Sequence, residues 1–302
     1  ESYQASEMAT VNPFDVTLAH GLRGLDMLVA EVDKLVSLPD IYYRLEEAIV
    51  DPGSTIDSIA ELLRRDPDLC ARMLRMANSA FYSFPTKIET IERAVSTIGL
   101  RQIRELVLVT SVIKAFEGIP SSVVNMTTFW EHSVAVGIMA RELGEHSRLA
   151  NADSFYIPGL LHDIGRLVMF LKLPGLMHDI LKQRKVSGEP MYLLERRRLD
   201  YSHAEIGGRL LEFWKLPQSI WEPVVTHHDP RKAGQYALAG CAVHIADAWV
   251  NSNRIGSSGQ GFELEIEPEA LERFGIAADD VDEIGAHAAA QTQAVVRQFM
   301  GH

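Results

Sequence analysis

A chain of 302 residues with 47% hydrophobic and 23% charged side chains has the apolar material for a real core and excludes wholesale disorder. Its formal net charge of −12 argues against general nucleic-acid affinity, which needs clustered Lys and Arg. The excess is concentrated at the end, where Phe262 to His302 holds nine acids against two bases.

The two cysteines, Cys70 and Cys241, stand far apart and outside any C-x-x-C pair, so they read as free core thiols in a reducing compartment. Glu1 to Thr10 shows no secretion-signal pattern, and the most apolar runs, Leu106–Phe116 and Ala237–Val250, are too short or interrupted to span a bilayer. The expectation is a cytoplasmic protein with no membrane partner.

Helical periodicity dominates from end to end, and no alternating strand pattern appears. Helices are predicted over Phe14–Leu35 and Ile41–Val50, the second stopped by Asp51-Pro52-Gly53. Ser54 or Thr55 caps the next, and Asp66-Pro67 starts another with Asp at the N-cap and Pro at the first helical position. Glu89–Ile98 and Arg101–Phe116 follow, separated by Gly99. Gly118 to Ser122 gathers chain breakers and marks a boundary after residue 120. Beyond it helices are expected at Thr127–Glu145, Ala152–Leu161, Gly165–Leu171, Leu176–Arg184, Tyr192–Asp200, His203–Trp214, Ser219–Thr226 and Ala237–Asn251. Ser252 to Gly261 is Gly/Ser-rich and reads as a mobile surface loop, with acidic helices near Pro268–Phe274 and Val281–Met300 after it. The organisation is all-α and two-lobed: an N-terminal lobe over 1–120, a second lobe over 121–251, and a loop with acidic helices over 252–302.

Among eleven histidines, several fall in patterned places. His132 lies on an apolar helix, His162-Asp163 closes another just before Ile164-Gly165, and His203 opens a helix after Tyr201-Ser202. His227-His228 ends a helix, and Asp247 sits mid-helix among Ile245, Ala246, Ala248 and Trp249. A carboxylate in such company loses hydration unless a cation or hydrogen bonds meet it. Imidazole with carboxylate is a ligand mixture suited to zinc, iron, manganese or nickel, so His132, His162, Asp163 and Asp247 are candidate metal ligands. His162 and Asp163 project about 100° apart on a helix and reach one centre only near its end. His20, His146, His178, His287 and His302 are read as surface residues, and His244 as a helix neighbour of Asp247.

Basic residues Arg64, Arg65, Arg72, Arg75, Arg101 and Arg104 are read as a solvated helix face, although an acidic partner or phosphate is the alternative use. Arg196-Arg197-Arg198, bracketed by Glu195 and Asp200, is expected to be neutralised within the chain. Trp130, Trp214, Trp221 and Trp249 are read as core.

The order His132, His162-Asp163, Asp247 resembles the HD superfamily of metal-dependent phosphohydrolases. The N-terminal motifs narrow this to the HDOD (HD-related output domain) family: Leu38-Pro39, Ile59-Ala60, Arg65-Asp66-Pro67-Asp68-Leu69, the run Leu74 to Tyr82, Ile91-Glu92-Arg93-Ala94, Ile98-Gly99-Leu100, and the run Leu160 to Val168. The resemblance covers about residues 30–250. It implies an all-α regulatory or signalling output module used in bacteria, acting on signalling proteins or a phosphate-containing small ligand.

His203 and His227-His228 stand where the related HD-GYP cyclic-di-GMP phosphodiesterases carry extra histidines for a second metal. The resemblance therefore implies one or two divalent transition-metal ions, with Asp163 bridging and His203, His227 and His228 on the second. It gives catalytic roles to Asp163 and to Arg166, which occupies the place of a Lys in those enzymes. The chain departs from them after His228, where Asp229 to Tyr236 lacks a Gly-Tyr-Pro motif. Regulation is the leading expectation, a cyclic-dinucleotide or nucleotide phosphodiesterase the alternative, and a homo-oligomer is left open.

Overall fold

Thr55, Asp66, Thr90, Asn125 and Ser202 are capping side chains, and each starts a helix of this chain. The computed structural model describes residues 21–33, 36–79, 84, 86–121, 123–259 and 265–300; its regular elements there are α-helices and short 3-10 turns, with no strand among the described residues. Residues 1–20, with His20, and His302 lie outside them, as do Ala80, Phe81 and Tyr82 of the motif that runs from Leu74 to Tyr82, Ser122 of the boundary, and Gln260 and Gly261 of the Gly/Ser-rich segment.

After α1 (Gly21–Asp33) come α2 (Asp40–Val50), α3 (Ile56–Arg64), α4 (Pro67–Ala77), α5 (Ile91–Ile98) and α6 (Leu100–Ala115). Thr55 caps α3 in a reciprocal box with Ser58, and Asp66 caps α4 by accepting from the Leu69 amide at 3.0 Å, with Pro67 at the first position. Gly99, at φ +87°, turns α5 straight into α6 in a conformation that disfavours side-chain-bearing residues. Asn78 terminates α4 and does more than cap it. Its amide donates to the carbonyls of Leu74 (2.6 Å) and Ile88 (2.7 Å), and its oxygen accepts from the Ile88 amide at 2.8 Å, which ties the chain before α5 to the end of α4. Helices α2 to α6 pack on one another, whereas α1 lies elsewhere.

The second layer is built on α7 (Met126–His146), a 21-residue helix capped by Asn125 through the Thr128 amide at 3.2 Å. Against it pack α8 (Tyr156–Leu161), preceded by a 3-10 turn over Ala152–Phe155, then α14 (Ala237–Ser252) and α16 (Ala278–Met300). Small residues allow the close approach: a Cβ on Gly159 of α8 would stand 2.8 Å from the Cα of Gly137 of α7. Around this centre run α9 (Ile164–Lys172), α10 (Pro174–Ser187), α11 (Met191–Leu199), α12 (His203–Phe213), α13 (Gln218–Thr226) and α15 (Pro268–Phe274). Helix α1 packs on α9 and α12, fixed by Trp214 Nε1 donating to Asp33 at 3.1 Å and Arg209 pairing with Asp26 at 2.7 Å. At the other end α16 runs along α7, meets α14 and reaches α4.

The surface histidines His146, His178 and His287 are exposed, and Trp130 and Trp214 are among the largest fully buried side chains. Of the six arginines read as a solvated helix face, four pair within the chain: Arg64 with Glu92, Arg72 with Glu117 at 2.6 Å, Arg101 with Asp153 at 2.8 Å, and Arg104 with Glu46 at 3.6 Å. In the later basic run, Arg196 pairs with Glu205 and Arg197 with Glu189 at 2.6 Å. Both cysteines are free.

The Gly/Ser-rich segment departs from the loop expected of it. Over residues 253–259 it lies along the first turns of α7 as a strap. The Ser257 amide donates to the Thr128 carbonyl at 2.8 Å, and Ser258 is wholly buried. Gly256, at φ +63°, is there because nothing larger fits: a Cβ would stand 2.3 Å from the His132 nitrogen and 2.5 Å from the Thr128 carbonyl. Glycine composition is shared by loops that move and by backbone that packs closely, and composition alone does not separate them.

Candidate metal centre

Six helices bring seven ligand-type side chains to one buried point. His132 comes from the second turn of α7, Asp247 from the middle of α14, and His203 is the first residue of α12, whose entry is fixed by Ser202 and Glu205 acting as a capping box. His162 and Asp163 occupy the break between α8, ending at Leu161, and α9, starting at Ile164. That break is what lets neighbouring residues face one centre, as their angular separation in a continuous helix requires. His227 and His228 follow the last residue of α13. His132, His162, His203 and His227 are fully buried, Asp163 and Asp247 nearly so, and His228 is half-buried.

The ligand atoms lie at coordination spacing. His132 Nε2 and His162 Nε2 are 3.3 Å apart, and each lies close to Asp247 Oδ1, at 3.1 and 3.3 Å. Asp163 Oδ2 is 3.3 Å from His162 Nε2, while Oδ1 is 3.1 Å from both His203 Nε2 and Arg166 Nε. Three overlapping groups have mutually close donors: His132, His162 and Asp247; His162, Asp163 and His227; His203, His227 and His228. His227 therefore stands between the two halves rather than in the second alone.

Three of the imidazoles, those of His162, His203 and His227, are oriented from behind by a hydrogen bond at Nδ1. His162 Nδ1 donates to the Gly159 carbonyl at 2.7 Å and His227 Nδ1 to the Val224 carbonyl at 2.6 Å, and a carbonyl only accepts. Their Nε2 atoms thereby face inward, where a neutral ring presents a lone pair to a bound ion. His203 Nδ1 and its backbone amide both donate to Glu195 Oε2, at 2.6 and 2.8 Å. Asn251 Nδ2 donates to Asp247 Oδ1 at 2.6 Å, and Tyr192 stacks on His228 with ring centroids 4.2 Å apart. His244, read as a helix neighbour, points away from the centre and bonds the His227 carbonyl at 2.8 Å and the Glu267 amide at 3.0 Å.

Charge follows from this packing. Burial pushes Asp163 and Asp247 upward, but facing positive groups overcome it: Arg166 and His162 for Asp163, His162 and His132 for Asp247. Both carboxyls are held well below the usual range. His162 is opposed by burial yet lifted to about 10 by Asp163 and Asp247. Burial, with positive charge at His162 and His203, drives His227 down to about 3.

These residues fit a metal ion on their own geometry. Inward lone pairs from buried imidazoles meet one another at van der Waals range or closer, His227 Nε2 has no hydrogen-bond partner, and neither Asp163 oxygen accepts one in good geometry. Such an arrangement is unfavourable for a metal-free core and is what a divalent cation resolves. The set of nitrogen and carboxylate donors suits a transition metal rather than calcium or magnesium.

The structure brings together the seven side chains that the sequence marked as candidate ligands, whereas Glu195, Asn251, Tyr192 and Ser258, which surround them, were not singled out. Glu195 sat inside a charged run, and the others had no local signal of burial. No helix of the described residues is long and apolar enough to cross a membrane.

Comparison with known proteins agrees with the geometry. An HDOD domain protein of unknown function from Geobacter sulfurreducens superposes with a TM-score of 0.69 at 26% identity, covering 95% of this chain and 88% of that one. A candidate phosphohydrolase from Shewanella amazonensis gives 0.67 at 26% identity, covering 90% and 97%. Ribonuclease Y from Thermus thermophilus is 31% identical over 157 residues, 50% of this chain and 21% of that protein. The chain spans between 21% and 38% of the length of the curated relatives it matches. The HDOD domain model itself matches residues 35–230, and with the motifs, the helical architecture and the histidine-aspartate centre in agreement, the chain belongs to the HDOD family.

Proposed function

We propose that this protein is a signal-transduction output module whose HD-type metal centre organises the helices that meet at it, and that it acts by binding a partner protein or a phosphate-containing ligand. The observation that carries this reading is closure. Six of the seven candidate ligands are buried, with four imidazoles at 0% exposure and only His228 half-buried, and Ser258 and Arg166 above them are also at 0%. Turnover needs a coordination position open to water and substrate, whereas a closed shell holds structure.

A bound divalent ion supplies charge neutralisation for the two aspartates and, where it has an open position, Lewis-acid activation of water. The chain's own residues do the rest. Gly159 and Val224 carbonyls fix two imidazole tautomers, Glu195 orients His203, and Asn251 orients Asp247. Because these ligands come from α7, the α8–α9 break, α12, α13 and α14, the centre couples five separate segments of the chain.

The convergence of seven ligands on one point favours a second reading, a metal-dependent phosphodiesterase. The two separate cleanly. Manganese-loaded protein is assayed against bis(p-nitrophenyl) phosphate and cyclic di-GMP beside the Asp163→Ala variant. No turnover above the variant is expected; turnover that the substitution abolishes would transfer the assignment to the hydrolase.

A further inference from the structure

We infer that Arg166 serves as a resident cation in one half of the centre, pinned there by Ser258 of the strap, so that the protein as it stands takes a single metal ion in the other half. The inference rests on the metal-centre reading given above and concerns how many ions that centre admits.

The two halves differ in what faces their lone pairs. In the half formed by His132, His162 and Asp247, the two Nε2 atoms face each other at 3.3 Å, with Asp247 Oδ1 at 3.1 and 3.3 Å from them. In the half formed by His203 and His228, Arg166 is present. Its Nη2 lies 3.3 Å from His203 Nε2 and its Nε 3.1 Å from Asp163 Oδ1, the two atoms a second ion would share. The guanidinium is fully buried and held from the far side, where Nη1 donates to Ser258 Oγ at 2.7 Å and to the Ser258 carbonyl at 3.2 Å. Ser258 is itself fixed, because Gly256 and Ser257 seat the strap against His132 and Thr128.

Formal charge gives the same count. With the imidazoles neutral, as ligation of a metal ion requires, the buried carboxylates around the centre are Asp163, Asp247 and Glu195 and the buried base is Arg166, a net of −2. One divalent ion cancels that charge. Two ions leave a surplus of positive charge in a site with little water to screen it, where uncompensated charge is costly. Replacing the guanidinium by a neutral side chain frees the position at Asp163 and His203 and makes room in the charge balance.

The test is the number of Mn(II) ions bound by chelator-stripped full-length protein, read by equilibrium dialysis with elemental analysis, with electron paramagnetic resonance to detect a coupled pair. Wild type is expected to bind about one equivalent and Arg166→Met about two with a spin-coupled signal, while Arg166→Lys, which keeps a cation, stays at about one. In Ser258→Ala, whose fold keeps every charge, the second ion enters at Mn(II) about tenfold lower than in wild type, since one hydrogen bond to a charged group is lost. His203→Ala keeps the single ion and His132→Ala loses it. Two ions in wild type, or one in Arg166→Met with native circular dichroism, overturn the inference and leave the metal-centre reading intact. No ion in any protein overturns that reading and the inference with it.

Discussion

Glu105 shows how a single half-buried carboxyl makes this fold sensitive to pH away from the metal centre. It faces a small cleft of about 100 Å³ between α6 and the α8 region, lined by Tyr42, Arg101, Arg104, Ser154 and Ile157. Burial raises its pKa from 4.5 to about 7, against the lowering influence of Arg101 and Arg104. The folded state therefore holds the proton more tightly than the unfolded chain does. The stability this contributes is fully present below about pH 4.5 and is lost as the pH rises through about 7. Glu105→Gln is expected to gain roughly 2 kcal/mol more stability over wild type at pH 8 than at pH 5, measured by urea unfolding. An equal effect at both values contradicts the assignment. Residues of this kind were not legible in the sequence, because Glu105 sits in a helix with ordinary amphipathic spacing and only packing buries it. His132, His162, Asp163 and Asp247 were legible, since polar groups in apolar helices carry their anomaly locally. Glu195 and Ser258 lie at the opposite extreme: their partners, His203 and Arg166, are distant in the chain.

Helix-to-helix approach is the feature most exposed to small changes. A Cβ on Gly165 of α9 would stand 2.0 Å from the His203 carbonyl and 2.7 Å from the Gly207 amide of α12, all backbone atoms that cannot step aside. Gly165→Ala is expected to cost about 3 kcal/mol in chemical denaturation, because α12 must shift and take His203 with it. Gly175 of α10 has open space around its missing Cβ, so Gly175→Ala is expected to be neutral or to gain about 0.5 kcal/mol by helix propensity. Similar losses at both sites contradict the close-packing account. Helix positions were read well from sequence where caps and breakers are local, as at Thr55, Asp66-Pro67 and Gly99. The strap over 253–259 was not, because the signal that distinguishes it is the backbone of α7 beneath it.

For the whole molecule the metal centre links distant parts of the chain. Its ligands span residues 132 to 247, with α1 packed against α9 and α12 on one side and α16 along α7 on the other. A ligand that binds only the folded state stabilises it by about 2.7 kcal/mol at a hundred times its dissociation constant. Chelation is accordingly expected to lower the thermal midpoint of wild type by roughly 5 °C or more and to leave Asp163→Ala unchanged, as scanning calorimetry reads directly. The all-α architecture and the family were legible because helix periodicity and motif order are sequence properties. Closure of the centre was not, since it depends on five segments distant in the chain meeting at once.

The measurement that bears most directly on this account is the elemental content of protein purified without chelators, wild type beside Asp163→Ala. The account predicts a transition metal bound to wild type in near-stoichiometric amount and absent from the variant. A wild-type protein that retains its fold and carries no metal, even after incubation with iron, manganese, zinc or nickel, would contradict it.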